Sequence, residues 1–276
     1  MKTLLIKTHE VWLETIMAAF MSQTKNRQTL YEFSDILWRH FTWIEHELIR
    51  HGENYDYDRD TIPVKVTHLR EILSDITRRL SELDLQLISC PDRDLAHRIS
   101  TDLRYIEGAI NHMSDEIVTA FDASRTIDGI ALTQEATDAL TLFLFEESYK
   151  EYELIMIYNY LKAHSDDPFL NRIFQILIDE SFFHLRSFGS MMADMGILGV
   201  PRVIHKSLYQ VESVEQFLRD GIEEEIAAKQ QCLDLSNAVA RESKELAAFF
   251  EFINFQEDYH VSLMREALDH YAKMKA

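Results

Sequence analysis

Glycine and proline are scarce here, seven and four in 276 residues, so few positions can interrupt regular structure. Cysteine is nearly absent. Cys90 and Cys232 stand far apart, in no Cys-x-x-Cys pattern, which gives no support to a disulfide framework, a zinc ribbon or an iron–sulfur cluster. No stretch approaches the roughly 18 uncharged apolar residues of a membrane span, so no membrane partner is expected. The opening MKTLLIKTHEVWLET carries a Lys and an apolar run, but Lys7, His9 and Glu10 break that run too early for a secretion signal. A reducing, cytoplasmic compartment is the expectation. Positive charge is also in deficit, with 28 Lys and Arg against 47 Asp and Glu, a formal net charge of -19. That balance speaks against a nucleic-acid groove or an anionic membrane surface as partner.

What is present favours helices. The chain is 46% hydrophobic and 27% charged, enough to bury a core, and Leu, Ala, Glu and Ile are abundant while β-branched runs are short. Turn chemistry cuts the sequence into eight long helical segments, at about residues 2–23, 28–51, 64–89, 94–121, 135–164, 169–196, 214–240 and 242–271. The segment DASRTIDGIALTQ, with Gly129, separates two halves, 1–125 and 133–276. Asp166 and Asp167 before Pro168, Ser213 before VEQF and Gly196 after MMADM are the expected caps and stops.

Loop length carries topology. A helix of about 25 residues is roughly 38 Å long. The short SDDP turn joins antiparallel neighbours, whereas the connection ILGVPRVIHKSLYQVES, extended, spans roughly 55 Å and can run the length of a bundle. The expected fold is all-α: two tandem four-helix bundles, with a long crossover between the second and third helices of the C-terminal one.

Each C-terminal helix carries an acid on its apolar face, where an unpaired carboxylate is costly. Glu147 lies in line with Leu140, Leu144, Leu154 and Tyr158, with Glu146 about 100° away as its alternative. Glu180 lies in the stripe of Ile173, Ile176, Leu177 and Phe183, and His184 follows it by four. Glu224 lies with Phe217, Ala227, Ala228 and Leu235. Glu257 lies with Phe250, Ile253, Val261 and Met264, and His260 follows it by three. Glu147 to Glu180 and Glu224 to Glu257 are both 33 residues apart, as two antiparallel hairpins of equal arm length require. Four carboxylates and two imidazoles suit two divalent first-row metals inside a bundle. The expected metal ligands are therefore Glu147, Glu180, His184, Glu224, Glu257 and His260.

Over about residues 135–272 this pattern resembles the rubrerythrin-like branch of the ferritin-like di-iron carboxylate proteins. Their order is Glu, Glu-x-x-His, Glu, Glu-x-x-His on successive helices. Glu257-Asp-Tyr-His260 matches as written, while Glu180-Ser-Phe-Phe-His184 has one residue more, which a π-bulge would absorb. Ala227 and Ala228 stand where a second acid would follow Glu224. The resemblance implies a ferritin-like bundle with two Fe ions, Mn or a mixed Fe/Mn pair being served by the same ligands. It implies an oxidoreductase that uses O2 or peroxide on a substrate the sequence does not name. The alternative is a non-enzymatic iron-binding or ferroxidase-type protein. With no four-cysteine electron-transfer module in the chain, electrons must come from a separate donor protein or a reducing substrate. Tyr149, Tyr158 or Tyr259 is placed to pass an electron or proton. Met191, Met192, Met195, Phe249, Phe250, Phe252 and Phe255 read as core packing ahead of an apolar channel.

The N-terminal half carries a fainter echo. Glu14 and Glu47 are 33 apart with His51 four beyond, and Asp75 and Glu107 are 32 apart with His112 five beyond. A decayed duplication accounts for this ahead of a second metal site. A hemerythrin-like reading of His40, His46, His51, His68, His97 and His112 ranks below both, since no His-x-x-x-His pair occurs. A homodimer surface, a substrate lid or a docking face are the roles left to this half.

Overall fold

The computed structural model describes residues 1–65, 67–118, 126–127 and 129–275, without the side chains of residues 24 and 275. Within them the chain is all-helical and has no strand, only isolated bridges from His68 to Ile117 and from Ile127 to Ile130. The helices are α1 (Lys2–Met21), α2 (Thr24–Arg50), α3 (Leu69–Leu87), α4 (Arg93–Ile110), α5 (Gln134–Ala163), α6 (Pro168–Asp194), α7 (Lys206–Tyr209), α8 (Val214–Val239) and α9 (Lys244–Lys275). No described helix is long and apolar enough to cross a membrane.

Local chemistry sets the ends. Thr133 caps α5 by accepting from the Ala136 amide, Asp167 caps α6 by accepting from Phe169 and Leu170 with Pro168 in the first turn, and Ser213 caps α8 by accepting from Gln216. Gly196 takes φ 75° just after α6, a left-handed conformation that glycine adopts at no steric cost. Two segments are shorter than expected. α3 begins at Leu69 instead of residue 64, and α4 ends at Ile110, where Asn111 and His112 leave the helix in turns. The expected end of α4 at residue 121, and residues 122–125 and 128 of the inter-half segment, lie outside the described residues.

The chain divides into two compact units. One is Met1–Ala123 with Gly196–Ile204, the other Ser124–Met195 with His205–Ala276. The connection expected to be one crossover is thus shared out. Its first part groups with the N-terminal unit, where Arg59 donates to the carbonyls of Pro201 and Arg202 at 2.9 and 3.1 Å, and Leu198 and Ile204 are buried. Its later part forms the single turn α7, which packs on α5.

In the N-terminal unit α1 packs on α2 and α3, and α4 packs on α3 and α2. Its buried acids have partners. Glu10 and Glu14 both pair with Arg79, at 3.1 and 2.7 Å, and Glu45 accepts from the hydroxyls of Tyr55 and Tyr57. In the C-terminal unit α5 pairs with α6 and α8 with α9, and α5–α8 and α6–α9 contacts join the two hairpins. Met192, Met195 and Phe250 lie in its core, whereas Phe252 and Phe255 are exposed.

Candidate metal centre

A helix places residues three, four and seven apart on one face. On α5 that rule puts Leu144, Ser148, Glu151, Ile155 and Tyr158 inside together. On α8 it puts Glu225 seven residues from both Leu218 and Cys232, all three buried. α6 brings His184, with no exposure, and α9 brings Glu257 and His260. Three buried acids and two buried histidines therefore meet in the middle of the C-terminal unit.

They form two overlapping triads, Glu151–His184–Glu257 and Glu225–Glu257–His260, in each of which one ligand atom per residue lies within 4.8 Å of the others. Glu257 belongs to both. Nδ1 of His184 lies 2.9 Å from Glu151 and 3.7 Å from Glu257. Nδ1 of His260 lies 3.0 Å from Glu257 and 3.4 Å from Glu225. The two rings are 5.8 Å apart. Each imidazole turns Nδ1 to the acids and is held at Nε2 by a neighbouring helix, His184 by Gln256 Oε1 at 3.2 Å and His260 by Glu180 at 2.6 Å.

Without ions, protons hold this cluster together. Burial alone would lower His184, but the charge and hydrogen bond of Glu151, with Glu257 behind them, outweigh it and lift the imidazole to about 9. His260 is likewise pushed well up, as Glu180, Glu225 and Glu257 overcome its burial. Burial and the neighbouring Glu225 raise Glu257, while Glu225 is held below its usual value, against its burial, by hydrogen bonds to Glu257 and His260. One carboxyl of that pair keeps its proton so that the other can ionise.

Two polar atoms are left over. Glu151 Oε2 and the Tyr158 hydroxyl are buried with no hydrogen-bond partner. An orphaned carboxylate oxygen in a cluster otherwise closed by protons is what a bound cation would satisfy. The donor separations of 2.9 to 3.7 Å also suit a shared ion, since adjacent ligands of an octahedral ion with bonds of about 2.1 Å stand about 3 Å apart. The residues present therefore fit divalent metal.

The structure gathers His184, Glu257 and His260 of the sequence-derived set and holds Glu180 one layer out, against His260. Glu147 and Glu224 are not in either triad. Glu147 is buried one turn from Glu151 but binds the Lys150 ammonium at 2.7 Å, and Glu224 lies on the exposed side of α8. Glu146, the alternative to Glu147, is exposed. On those two helices the triads take Glu151 and Glu225. The extra residue between Glu180 and His184 is not taken up by a π-bulge, because α6 is an unbroken α-helix. The additional step separates the roles of the two side chains: His184 joins one triad and Glu180 supports the histidine of the other. Gln256 was not foreseen at all. Of the tyrosines, Tyr158 is buried beside the acids, which with its burial push its hydroxyl far above the usual range, while Tyr259 is exposed.

Among the described residues no triad of this kind involves the N-terminal unit. Glu14 is paired with Arg79, Glu47 with Arg50 and His51, and Asp75 with Lys65 and Arg78. His112 is bonded to the Gly108 carbonyl, and His40 to Asp102 at 2.9 Å.

A cavity of about 310 Å³ opens beside the cluster, between α5, α7 and α8. Its wall includes Glu151, Glu225, Glu257 and His260 at the inner end and exposed Ser207, Asp220 and Glu224 at the outer end. Solvent-facing residues and the buried acids thus share one space.

Neighbouring acids on each helix give an internal control. Glu151→Gln and Glu225→Gln should each lower bound metal at least about tenfold in affinity, the usual scale for losing a ligand or its support. Glu147→Gln and Glu224→Gln should leave it within about twofold. Competition against a chromophoric chelator reads all four, and equal losses at Glu224 and Glu225 would refute this assignment of ligands.

Comparison of the chain with protein-family models, with curated proteins and with solved structures finds no match.

Proposed function

We propose that the C-terminal unit is a four-helix bundle on the ferritin-like plan, that it holds two iron ions, and that the protein is an oxidoreductase using O2 or peroxide. The observation that carries this reading is Glu257. It is the one acid common to both triads, the position of a carboxylate that bridges two metals. Glu151 and His184 would hold one ion and Glu225 and His260 the other, with Glu257 between them. Manganese, or one of each metal, would suit the same oxygen and nitrogen donors.

A bound iron pair supplies two electrons at once, which is what reduction of peroxide to water requires. The protein's own part is to position and to exclude. Glu180 and Gln256 fix the ring orientation of His260 and His184 through their Nε2 atoms, a support that also raises imidazole basicity. Packing by Phe188, whose ring stacks on His184, and by Phe143 and Phe250 keeps water from the inner side. The Tyr158 hydroxyl, without a partner of its own, keeps its proton and is left with a hydrogen bond to donate, on a residue that lines the cavity.

The cavity favours an enzyme over a storage or ferroxidase-type protein. A protein that only takes up iron has no need for a partly apolar chamber against its centre, whereas a substrate oxidised there needs such access. Electrons would come from that substrate or from a separate donor protein.

The test is stoichiometric. Protein loaded anaerobically with Fe(II) should be oxidised by one peroxide per two Fe(II), within about a second. Near-ultraviolet iron(III) absorbance follows the reaction. Glu257→Gln should react no faster than Fe(II) free in the same buffer. A wild-type rate equal to that of free Fe(II) would refute the oxidoreductase reading.

A further inference from the structure

The wall of the cavity has a composition that selects a charge. Apart from the triad residues, the acids Glu147, Asp220 and Glu224 line it, and Lys150 is the one Lys or Arg among its described lining residues. Lys150 is committed to Glu147 at 2.7 Å. With two divalent ions balanced by Glu151, Glu225, Glu257 and nearby Glu180, the rest of the wall remains net negative. Coulomb repulsion in such an enclosed space rejects anions and favours a positive guest.

The same wall is half apolar. Leu154, Ile157 and Leu208 contribute aliphatic surface, and Tyr158 and Phe217 stand edge to face with centroids 5.9 Å apart. A hydrated inorganic ion gains nothing from these groups. An organic ammonium ion gains from all of them: its chain against the aliphatic side, its charge against aromatic faces and carboxylates. The Tyr158 hydroxyl adds a buried, unpartnered oxygen that can accept an N–H bond. At about 30 Å³ per water-sized group the space takes on the order of ten non-hydrogen atoms.

We propose that this cavity binds a small alkylammonium ion, a primary or secondary amine in its protonated form, and presents it to the buried centre as substrate. The word substrate rests on the oxidoreductase reading; the binding does not.

Calorimetry on protein loaded anaerobically with Fe(II), its metal content measured beforehand, tests this with three probes of one shape: n-butylammonium, 1-butanol and butyrate. Butylammonium should bind at least about tenfold more tightly than butanol, and butyrate should not bind. Ala228→Phe, which fills the cavity from α8, should abolish binding while metal content is unchanged. Should that variant fail to fold, Asp220→Asn with Glu224→Gln on the exposed outer end should weaken butylammonium at least about fivefold and flatten its salt dependence. Equal affinity for the three probes with two irons bound would overturn the proposal and leave the oxidoreductase reading standing. Butylammonium binding to a protein that holds no metal would sustain the proposal and overturn that reading. Excess Fe(II) taken up in the cavity in place of butylammonium would overturn the proposal and make the cavity an ion entry path.

Discussion

Glu257→Gln is expected to empty both metal positions together. Protein purified from iron-supplemented cells should carry about two metals per chain, and the variant fewer than about half of one. The expectation follows from the overlap of the triads at one side chain. A ligand that served one ion would, on removal, cost one ion. Gln presents a single neutral acceptor where two ions each need an anionic oxygen, and the two like charges then face one another with less negative charge between them. The fold should survive. In the metal-free protein Glu257 is the carboxyl that burial and Glu225 push toward its protonated form, so the neutral amide replaces a group that is already close to neutral. Circular dichroism of the variant should therefore match wild type, which separates loss of ligand from loss of structure. One metal retained per chain would make Glu257 terminal, not bridging. Metal content equal to a loaded wild type would remove Glu257 from the ligands, and content near zero in both, not restored by anaerobic Fe(II), would leave a helical protein with a core of acids and imidazoles closed by protons.

The second large effect is on thermal stability, and it grows with pH. Ligand that binds only the folded state, at about 100 times its Kd, contributes about 2.7 kcal/mol per site. Two sites in a protein of this size correspond to a rise in Tm of about 10–20 °C. Metal-free protein should lose stability as pH increases. His184 has its folded pKa lifted from 6.5 to about 9, so the stability it contributes is complete below about 6.5 and is lost as pH rises through 9. Glu257 acts with the same sign. Its folded pKa lies above that of the unfolded chain, so between the two values the folded state holds the extra proton and raising pH favours unfolding. Metal binding runs the other way, because it needs Nδ1 unprotonated and the carboxylates ionised. The difference between loaded and chelator-treated melting curves should thus widen from pH 6.5 to pH 8.5. Parallel curves across that range would refute the assignment of these imidazoles as ligands.

Much of the helical plan was legible in the sequence because capping chemistry is local. Asp167 with Pro168, Ser213 and Gly196 act within one turn of the ends they define, so the bounds of α6 and α8 fall within two residues of expectation. The site was legible by helix but not by level. Glu147 and Glu151 are four apart on α5 and both buried, so apolar periodicity admits either. What separates them is Lys150, which neutralises Glu147, and the height at which α6 delivers His184, a tertiary fact with no local signature. On α8 the run Glu223, Glu224, Glu225 offers three phases about 100° apart. The seven-residue frame of Leu218, Glu225, Cys232 and Val239 identifies the inner one, provided cysteine counts as an apolar residue, which it commonly is in cores. The matched spacing of 33 that drew attention to Glu147 and Glu180 does occur in space, but between Glu151 and His184. In the first hairpin the triad residues stand one turn beyond Glu147 and Glu180, and in the second Glu225 stands one residue beyond Glu224 while Glu257 keeps its place.

The split connection after α6 has a consequence for synthesis. Residues 196–204 complete the N-terminal unit, yet they follow α5 and α6 in the chain. A ribosome adding about 5–20 residues per second releases α1 to α4 well before it makes the segment that Arg59 anchors through Pro201 and Arg202. The first unit must wait, unfinished, until the first hairpin of the second has emerged, and that hairpin must wait in turn for α8 and α9. Neither unit can be finished before at least half of the other has been made, and no single cut in the chain yields two complete pieces.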